Sequence, residues 1–272
     1  LFYADMLDMS SLVRVLQEVN PHEIYNLAAQ SHVRISFDMP IYTTHSIATG
    51  TLNLLEAMRI VCPKAKFYQA SSSEMFGNNI DEDGFQRETT PMTPVSPYGC
   101  AKVYAYNICR NYRNAYGLFI SNGILFNHES PRRGTNFVTN KVVKEAVKIK
   151  LGLANELKLG NLEASRDWGH AKDYVEAMWL MLQQDKPDDF VLATGSTYTV
   201  REFVERAFAF KGFKISWVGS GEDEIGVDQN NITRVKINPK YYRPCEVDLL
   251  LGNPEKAIKI LNWDREFDSL DK

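Results

Sequence analysis

The chain has 272 residues, with 31 basic against 34 acidic side chains for a net charge of −3, and is 44% hydrophobic and 24% charged. That size and balance fit one large α/β unit or two joined lobes, and they exclude a disordered chain, a nucleic-acid surface and a basic membrane face. Cys62, Cys100, Cys109 and Cys245 show no CxxC or Cys/His metal spacing, so no metal is expected and the thiols read as reduced and cytosolic; no apolar run is long enough to span a bilayer.

The first residues, LFYADMLD, look like the end of a strand and carry no initiator Met, so the expectation is that the natural chain begins earlier. Asp8 or Ser10 caps a helix with the apolar stripe Leu12, Val13, Val15, Leu16 and Val19, stopped by Asn20-Pro21. EIYNLAA reads as a buried strand, followed by Gln30-Ser31-His32. Pro40 precedes a longer helix with Ile47, Leu52, Leu55 and Met58 on one side. KFYQASS is the next strand, and Ser71, Ser72, Ser73 and Glu74 end it. The helix from Pro97 to about Tyr116 buries Ala101, Ala105, Ile108 and Tyr112, and FISNGILFN is again a strand.

After Asn127 comes a polar, Arg-rich loop, HESPRRGTNF, then a helix with Val138, Val142, Val143, Ala146 and Ile149. An amphipathic helix follows from about Asp173 to Gln184, then the strand VLATG. Thr199 to Glu202 form a capping box for a helix carrying Phe203, Ala207 and Phe210, and ISWV is a short strand. Asn253 caps a last helix with Pro254 at its first position. Arg132 and Lys172 read as solvated charges, and Trp168 and Trp179 as packing residues.

Strand and helix alternate with runs apolar enough to be covered on both faces, which predicts a doubly wound parallel, Rossmann-like sheet with a smaller α/β substrate lobe. Residues 1–127 and 166–193 make the sheet domain, and 128–165 and 194–272 the lobe. Ligands of such sheets bind beyond the carboxyl ends of the strands, which here are Asp5, Ala28 to Ser31, Ser71 to Glu74 and Asn127-His128. No GxGxxG is present. At about 30 residues per βαβ unit, on the order of 60 residues with the first strands and the phosphate loop are expected upstream of Leu1. A chain lacking them is expected to be inactive and prone to aggregate through an open sheet edge.

Tyr98 and Lys102, four residues apart at the start of a helix, lie on one face. An ammonium beside a phenol stabilises the phenolate, which suits a general base for an alcohol. A lone YxxxK is more often an exposed pair. The strand upstream, tipped with hydroxyls and one carboxylate, raises this pair above that level.

The motifs YNLAAQSHV, QASSSEMFG, SPYGCAK, LFNHESPRRG, RDWGHAKDYVEAMW, ATGSTYTVREF and YYRPCEVD together resemble the extended short-chain dehydrogenase/reductases, and within them the GDP-mannose 4,6-dehydratases, over essentially the whole chain. The resemblance implies conversion of GDP-mannose to GDP-4-keto-6-deoxy-mannose, a first step toward GDP-fucose and other GDP-deoxyhexoses, with tightly held NADP recycled in each turnover. It also implies a cytoplasmic homo-oligomer, dimer or tetramer, without nucleic acid or membrane. By resemblance Tyr98 takes the 4-hydroxyl proton, Lys102 supports Tyr98 and the nicotinamide ribose, Glu74 removes the C5 proton and Ser72 bonds the 4-oxygen. Asp5, Met6, Leu27, Ala28, Ala29, Gln30, Ser31, Tyr42, His128 and Arg133 fall where the family meets the cofactor. Asn127, Lys141, Arg166, Arg243 and Glu246 fall where it meets the sugar nucleotide; two arginines suit a diphosphate and a carboxylate suits guanine or ribose. Departures are Gly99-Cys100 after the Tyr, Ser196 in ATGST, and a somewhat longer, more acidic loop from Asn78 to Arg87. The alternatives are an epimerase, from which Glu74 beside Ser72 points away, a dehydratase of another nucleotide sugar, or an inactive fragment.

Overall fold

The computed structural model describes residues 1–270, which form two compact units. The first comprises Leu1–His128, Asp167–Ser196 and the chain from Leu250 onward; the second comprises Glu129–Arg166 and Thr197–Leu249.

The first unit is built on a parallel sheet in chain order, Glu23–Asn26, Lys66–Ser72, Ile120–Leu125 and Asp189–Leu192. Side chains alternate across it. Phe67 and Ile120 enter one core with Leu12, Leu16, Leu55, Met58 and Cys109, while Tyr68, Leu125, Phe190 and Leu192 enter the other with Tyr174, Met181 and Trp263. Both faces are thus covered, as continuous apolar runs demand. The Glu23–Asn26 strand, expected to be buried, is only partly so, because among the described residues it pairs on one side alone.

Local signals set the helices. Asp8 caps Met9–Val19 by accepting from the amides of Ser10 and Ser11, and Asn20 closes it in the left-handed region at φ 44°. The helix after Pro40 is interrupted: Pro40–Thr44 is α-helical, His45–Thr49 is a π turn and Gly50–Val61 is α-helical again. A short helix, Val33–Asp38, lay outside the expected elements. Pro97–Tyr116 is one helix of 20 residues, with Ile108 half-buried. A buried carboxylate, Asp189, fastens that helix to the sheet. It accepts two hydrogen bonds from Arg113 at 2.9 Å, one from Asn122 Nδ2 at 2.8 Å and one from Tyr106 Oη at 3.2 Å.

The last stretch departs from the expected division. From Leu250 onward the chain returns to the sheet unit, because Ala257, Leu261 and Trp263 are buried in its core and Trp263 Nε1 donates to the Asp173 carbonyl at 2.9 Å. Asn253 Oδ1 accepts from Glu255 N at 2.9 Å, but the helix starts at Glu255 with Pro254, not Asn253, at its N-cap. Trp168 is buried; Trp179 is 52% exposed, on the outer face of Ala171–Gln183.

The second unit has a mixed sheet, Ser216–Val218, Ile225–Val227, Thr233–Ile237 and Leu157–Leu159, its last pair parallel. The Thr199/Glu202 capping box opens Val200–Ala209 as expected. Val200, Val204 and Phe208 are the buried stripe, however, and Phe210 is 88% exposed. Both stripes have helical spacing, so periodicity alone did not separate them. Likewise Val143 faces outward on Val138–Lys150.

Burial raises the Asp189 carboxyl, but the Arg113 hydrogen bonds and charge outweigh it and hold it below the ordinary range. Its stabilising effect is therefore present above the unfolded value of 3.8 and lost as pH falls through the lower folded value. Asp189→Asn leaves the Arg113 charge buried without its carboxylate and is expected to cost about 3 kcal/mol in denaturant unfolding at pH 7, with the gap to wild type closing in acid.

Candidate active site

At the end of the Lys66–Ser72 strand Ser72 is still extended, and its Oγ accepts from the Glu74 amide at 3.3 Å. That bond starts a single 3₁₀ turn, Ser73–Met75, which reverses the chain out of the sheet. Met75 and Phe76 are fully buried and anchor the turn, while Ser72 and Glu74 stay buried at its mouth.

The Pro97–Tyr116 helix starts beside this turn. Ser96 caps it through the Gly99 amide at 3.0 Å, and Pro97 takes the first position, where no amide is needed. A Cβ on Gly99 would sit 2.9 Å from the Glu74 carbonyl oxygen and 2.8 Å from Pro94 Cβ. The glycine therefore lets the first helical turn press against the backbone of Glu74, and it fixes how far Tyr98 stands from the strand end.

Tyr98 and Lys102 are both buried, with the Lys102 ammonium 5.7 Å from the centre of the Tyr98 ring. Lys102 donates to the Ala70 carbonyl at 2.6 Å. Burial pushes its pKa down to about 8, slightly countered by Cys109. At neutral pH it remains an ammonium with three donors, of which Ala70 takes one. The structure thus brings Ser72, Glu74, Tyr98 and Lys102 to one strand end, and the set can deprotonate an alcohol and a carbon acid.

The residues expected to meet a cofactor lie in both units. Leu27 is exposed just beyond the Glu23–Asn26 strand, and the Ala28 amide donates to Asn26 Oδ1 at 3.3 Å. Ala29 packs beside the cluster that holds Tyr98. Gln30 bonds Thr43 Oγ1 and both backbone groups of His32, and Ser31 between them is exposed. Tyr42 is exposed on Pro40–Thr44. Asp5 turns the chain by accepting from the Leu7 amide at 2.8 Å, and the Met6 carbonyl accepts from Asn53 Nδ2 at 2.9 Å. His128 bonds the Phe126 carbonyl at 2.8 Å and stacks on Tyr174. Arg133 belongs to the second unit, paired with Glu129 at 3.2 Å over the Phe137 ring.

Of the residues expected to read a sugar nucleotide, Asn127 opens the short strand Asn127–Glu129. In the second unit Arg166 and Arg243 both meet Glu246 Oε1 at 3.0 Å, so two guanidiniums share one carboxylate oxygen. Lys141 donates to the Lys158 carbonyl at 2.6 Å and lies 3.4 Å over the Tyr241 ring. It lines a cavity of about 620 Å³ with Glu145, Asn155, Glu156 and Lys158. Burial lowers its pKa.

Two buried polar groups were missed. Asp167 accepts from Thr194 N, Thr194 Oγ1 and Gly195 N within 2.9 Å and from Gly252 N at 3.4 Å, joining three segments of the first unit. Burial pushes its carboxyl up to about 6 against those hydrogen bonds. Gln69 and Asn26 form a second group, with Asn26 Nδ2 donating to Gln69 Oε1 at 2.8 Å. The signal for Gln69 was available: an amide in mid-strand of a sheet covered on both faces needs internal partners.

The GDP-mannose 4,6 dehydratase family model matches residues 1–270. The chain is 55% identical over 266 residues to GDP-mannose 4,6 dehydratase 2 of Caenorhabditis elegans, covering 97% of this chain and 69% of that one. It is 55% identical over 266 residues to GDP-mannose 4,6 dehydratase of Homo sapiens, covering 97% and 71%. Among solved structures, UDP-glucose 4-epimerase of Thermotoga maritima superposes with a TM-score of 0.82 at 24% identity, covering 98% of this chain and 79% of that one, a likeness of fold. With the match running through the described chain, this protein belongs to the GDP-mannose 4,6 dehydratase family.

Proposed function

We propose that the protein is a hydro-lyase that converts GDP-mannose to GDP-4-keto-6-deoxy-mannose with NADP as resident cofactor. The observation that carries this reading is Glu74, held at the mouth of the Ser72 turn against the start of the helix that bears Tyr98 and Lys102. Phenol and ammonium serve an alcohol oxidation. An added carboxylate base serves elimination.

The donor set fits a nicotinamide nucleoside: a buried ammonium with donors beyond the one on Ala70 matches a ribose diol. Lys102 and Tyr98 would hold that end, and Leu27 to Ser31 would line its path. A nicotinamide cofactor bound there would accept the hydride that leaves C4 and return it to C6 after water is lost, so that oxidation and reduction balance within one turnover. Tyr98, as phenolate beside the Lys102 ammonium, takes the proton of the 4-hydroxyl as C4 is oxidised. Ser72 Oγ donates to the 4-oxygen and holds it against Tyr98. The resulting ketone acidifies C5–H, Glu74 takes that proton, and the C6 hydroxyl departs as water. In the second unit Arg166 and Arg243, gathered on Glu246, serve a diphosphate through their guanidiniums; Lys141 contributes a further cation. The chemistry asks for no metal, and no cluster of metal-ligating side chains occurs among the described residues. Nor is any helix among them long and apolar enough to cross a membrane.

Incubation of the full-length, NADP-loaded protein with GDP-mannose is expected to give the 4-keto-6-deoxy product by mass spectrometry and NMR; absence of conversion with bound cofactor verified overturns the proposal. Tyr98→Phe is expected to lower kcat about 10³-fold with little change in KM, the loss typical of a general base. Glu74→Gln is expected to stop release of deuterium from substrate labelled at C5, while substrate binding by calorimetry stays within about threefold of wild type because the variant is isosteric. Lys102 is an ammonium below about pH 8 and neutral above it, so kcat should fall as pH rises through that region. A profile flat from pH 7 to 10 would contradict a charged role for Lys102.

A further inference from the structure

The carbonyl that holds Lys102 has a second donor. Ala70 O accepts from Lys102 Nζ at 2.6 Å and from Gln69 Nε2 at 3.3 Å. Gln69 lies two residues beyond Phe67 and shares its face of the sheet, toward Cys109, whose thiol stands 4.0 Å from Gln69 Oε1. That same Oε1 accepts from Asn26 Nδ2 at 2.8 Å. Asn26 Nδ2 also donates to Thr51 Oγ1 at 3.2 Å, and Asn26 Oδ1 accepts from the Ala28 amide at 3.3 Å. Gln69, Asn26, Thr51 and Lys102 are all at least nine-tenths buried. One chain of amides therefore runs from the loop after the first strand, through Asn26 and Gln69, to Ala70 and the ammonium.

An apolar residue would fill this strand position without the cost of burying an amide. What the amide adds is a fixed direction. A carbonyl oxygen has two acceptor sites, and with Lys102 and Gln69 on them the Ala70 carbonyl has little freedom. Lys102 reaches it at the end of a long flexible stem, so the carbonyl's orientation sets where the ammonium sits relative to Tyr98.

We infer that Gln69 is a positioning residue for the reaction: its side-chain amide fixes the Ala70 carbonyl and through it the Lys102 ammonium, and Asn26 joins this support to the Ala28 loop. The inference deepens the dehydratase reading and rests on it for its kinetic consequences. The titratable groups around the ammonium are Tyr98 and Cys109 on the same helix, and burial keeps Cys109 a neutral thiol.

The test uses the full-length protein carrying its cofactor, with Gln69→Met, which preserves length and volume, and Gln69→Glu. Gln69→Met is expected to lower kcat about tenfold with KM for GDP-mannose unchanged and to move the alkaline limb of kcat. Gln69→Glu adds a buried carboxylate within the Lys102 network and should move that limb upward, since an anion favours the ammonium. A second readout does not depend on turnover. Thermal unfolding of wild type, Gln69→Met, Lys102→Met and the double variant should show non-additive losses, with a coupling of at least about threefold in the folding equilibrium constant. Coupling without any GDP-mannose turnover in the wild type would support the positioning role and overturn the dehydratase reading instead. Folded Gln69→Met with wild-type kcat and pH profile, or additive unfolding losses, overturns the inference.

Discussion

Putting an ammonium inside a protein costs several kcal/mol unless something answers it, and Lys102 is buried without a carboxylate among its hydrogen-bond partners. Its answer is a backbone carbonyl, Ala70, in the middle of the sheet. That one bond ties the helix Pro97–Tyr116 to the strand Lys66–Ser72 at the level where the strand ends in Ser72 and Glu74. The same burial that lowers the affinity of Lys102 for its proton also strengthens its field on the neighbouring phenol, because little water is there to screen it. Stability is given up at this residue, and reactivity is what it supplies.

Other contacts make that cost bearable and hold the geometry. Asp189 grips the far end of the same helix through Arg113, so the helix is anchored at both ends of its buried face. Gly99 removes the side chain that would keep the helix start away from Glu74. The Ser72 Oγ accepts from the Glu74 amide and starts the 3₁₀ turn Ser73–Met75, which keeps Glu74 buried next to the strand end. In the second unit, Glu246 gathers the guanidiniums of Arg166 and Arg243, which repel each other, at one carboxylate oxygen.

The parallel sheet was legible because every strand run is apolar and punctuated by capping residues: KFYQASS and the Pro97–Tyr116 helix appear with the expected limits, as does the Thr199 capping box. The proximity of the candidate residues was legible because Tyr98 and Lys102 are locally spaced and Ser72 to Glu74 end a recognisable strand. What periodicity could not give was rotation and long-range return. Two stripes on Val200–Ala209 satisfy helical spacing, and tertiary packing chose Val204 and Phe208. The return of the chain from Leu250 onward depends on Trp263 and Ala257 finding the first unit's core, a contact no local pattern encodes. Asp167 was missed for the same reason, since its donors come from Thr194, Gly195 and Gly252.

In the proposed reaction one site oxidises, eliminates and reduces within a single turnover. The direct measurement is the fate of a label: GDP-mannose deuterated at C4, turned over in unlabelled water, with the product read by NMR. Deuterium is expected at C6, with a solvent-derived proton at C5. Deuterium lost to solvent, or still at C4 in the product, would contradict it.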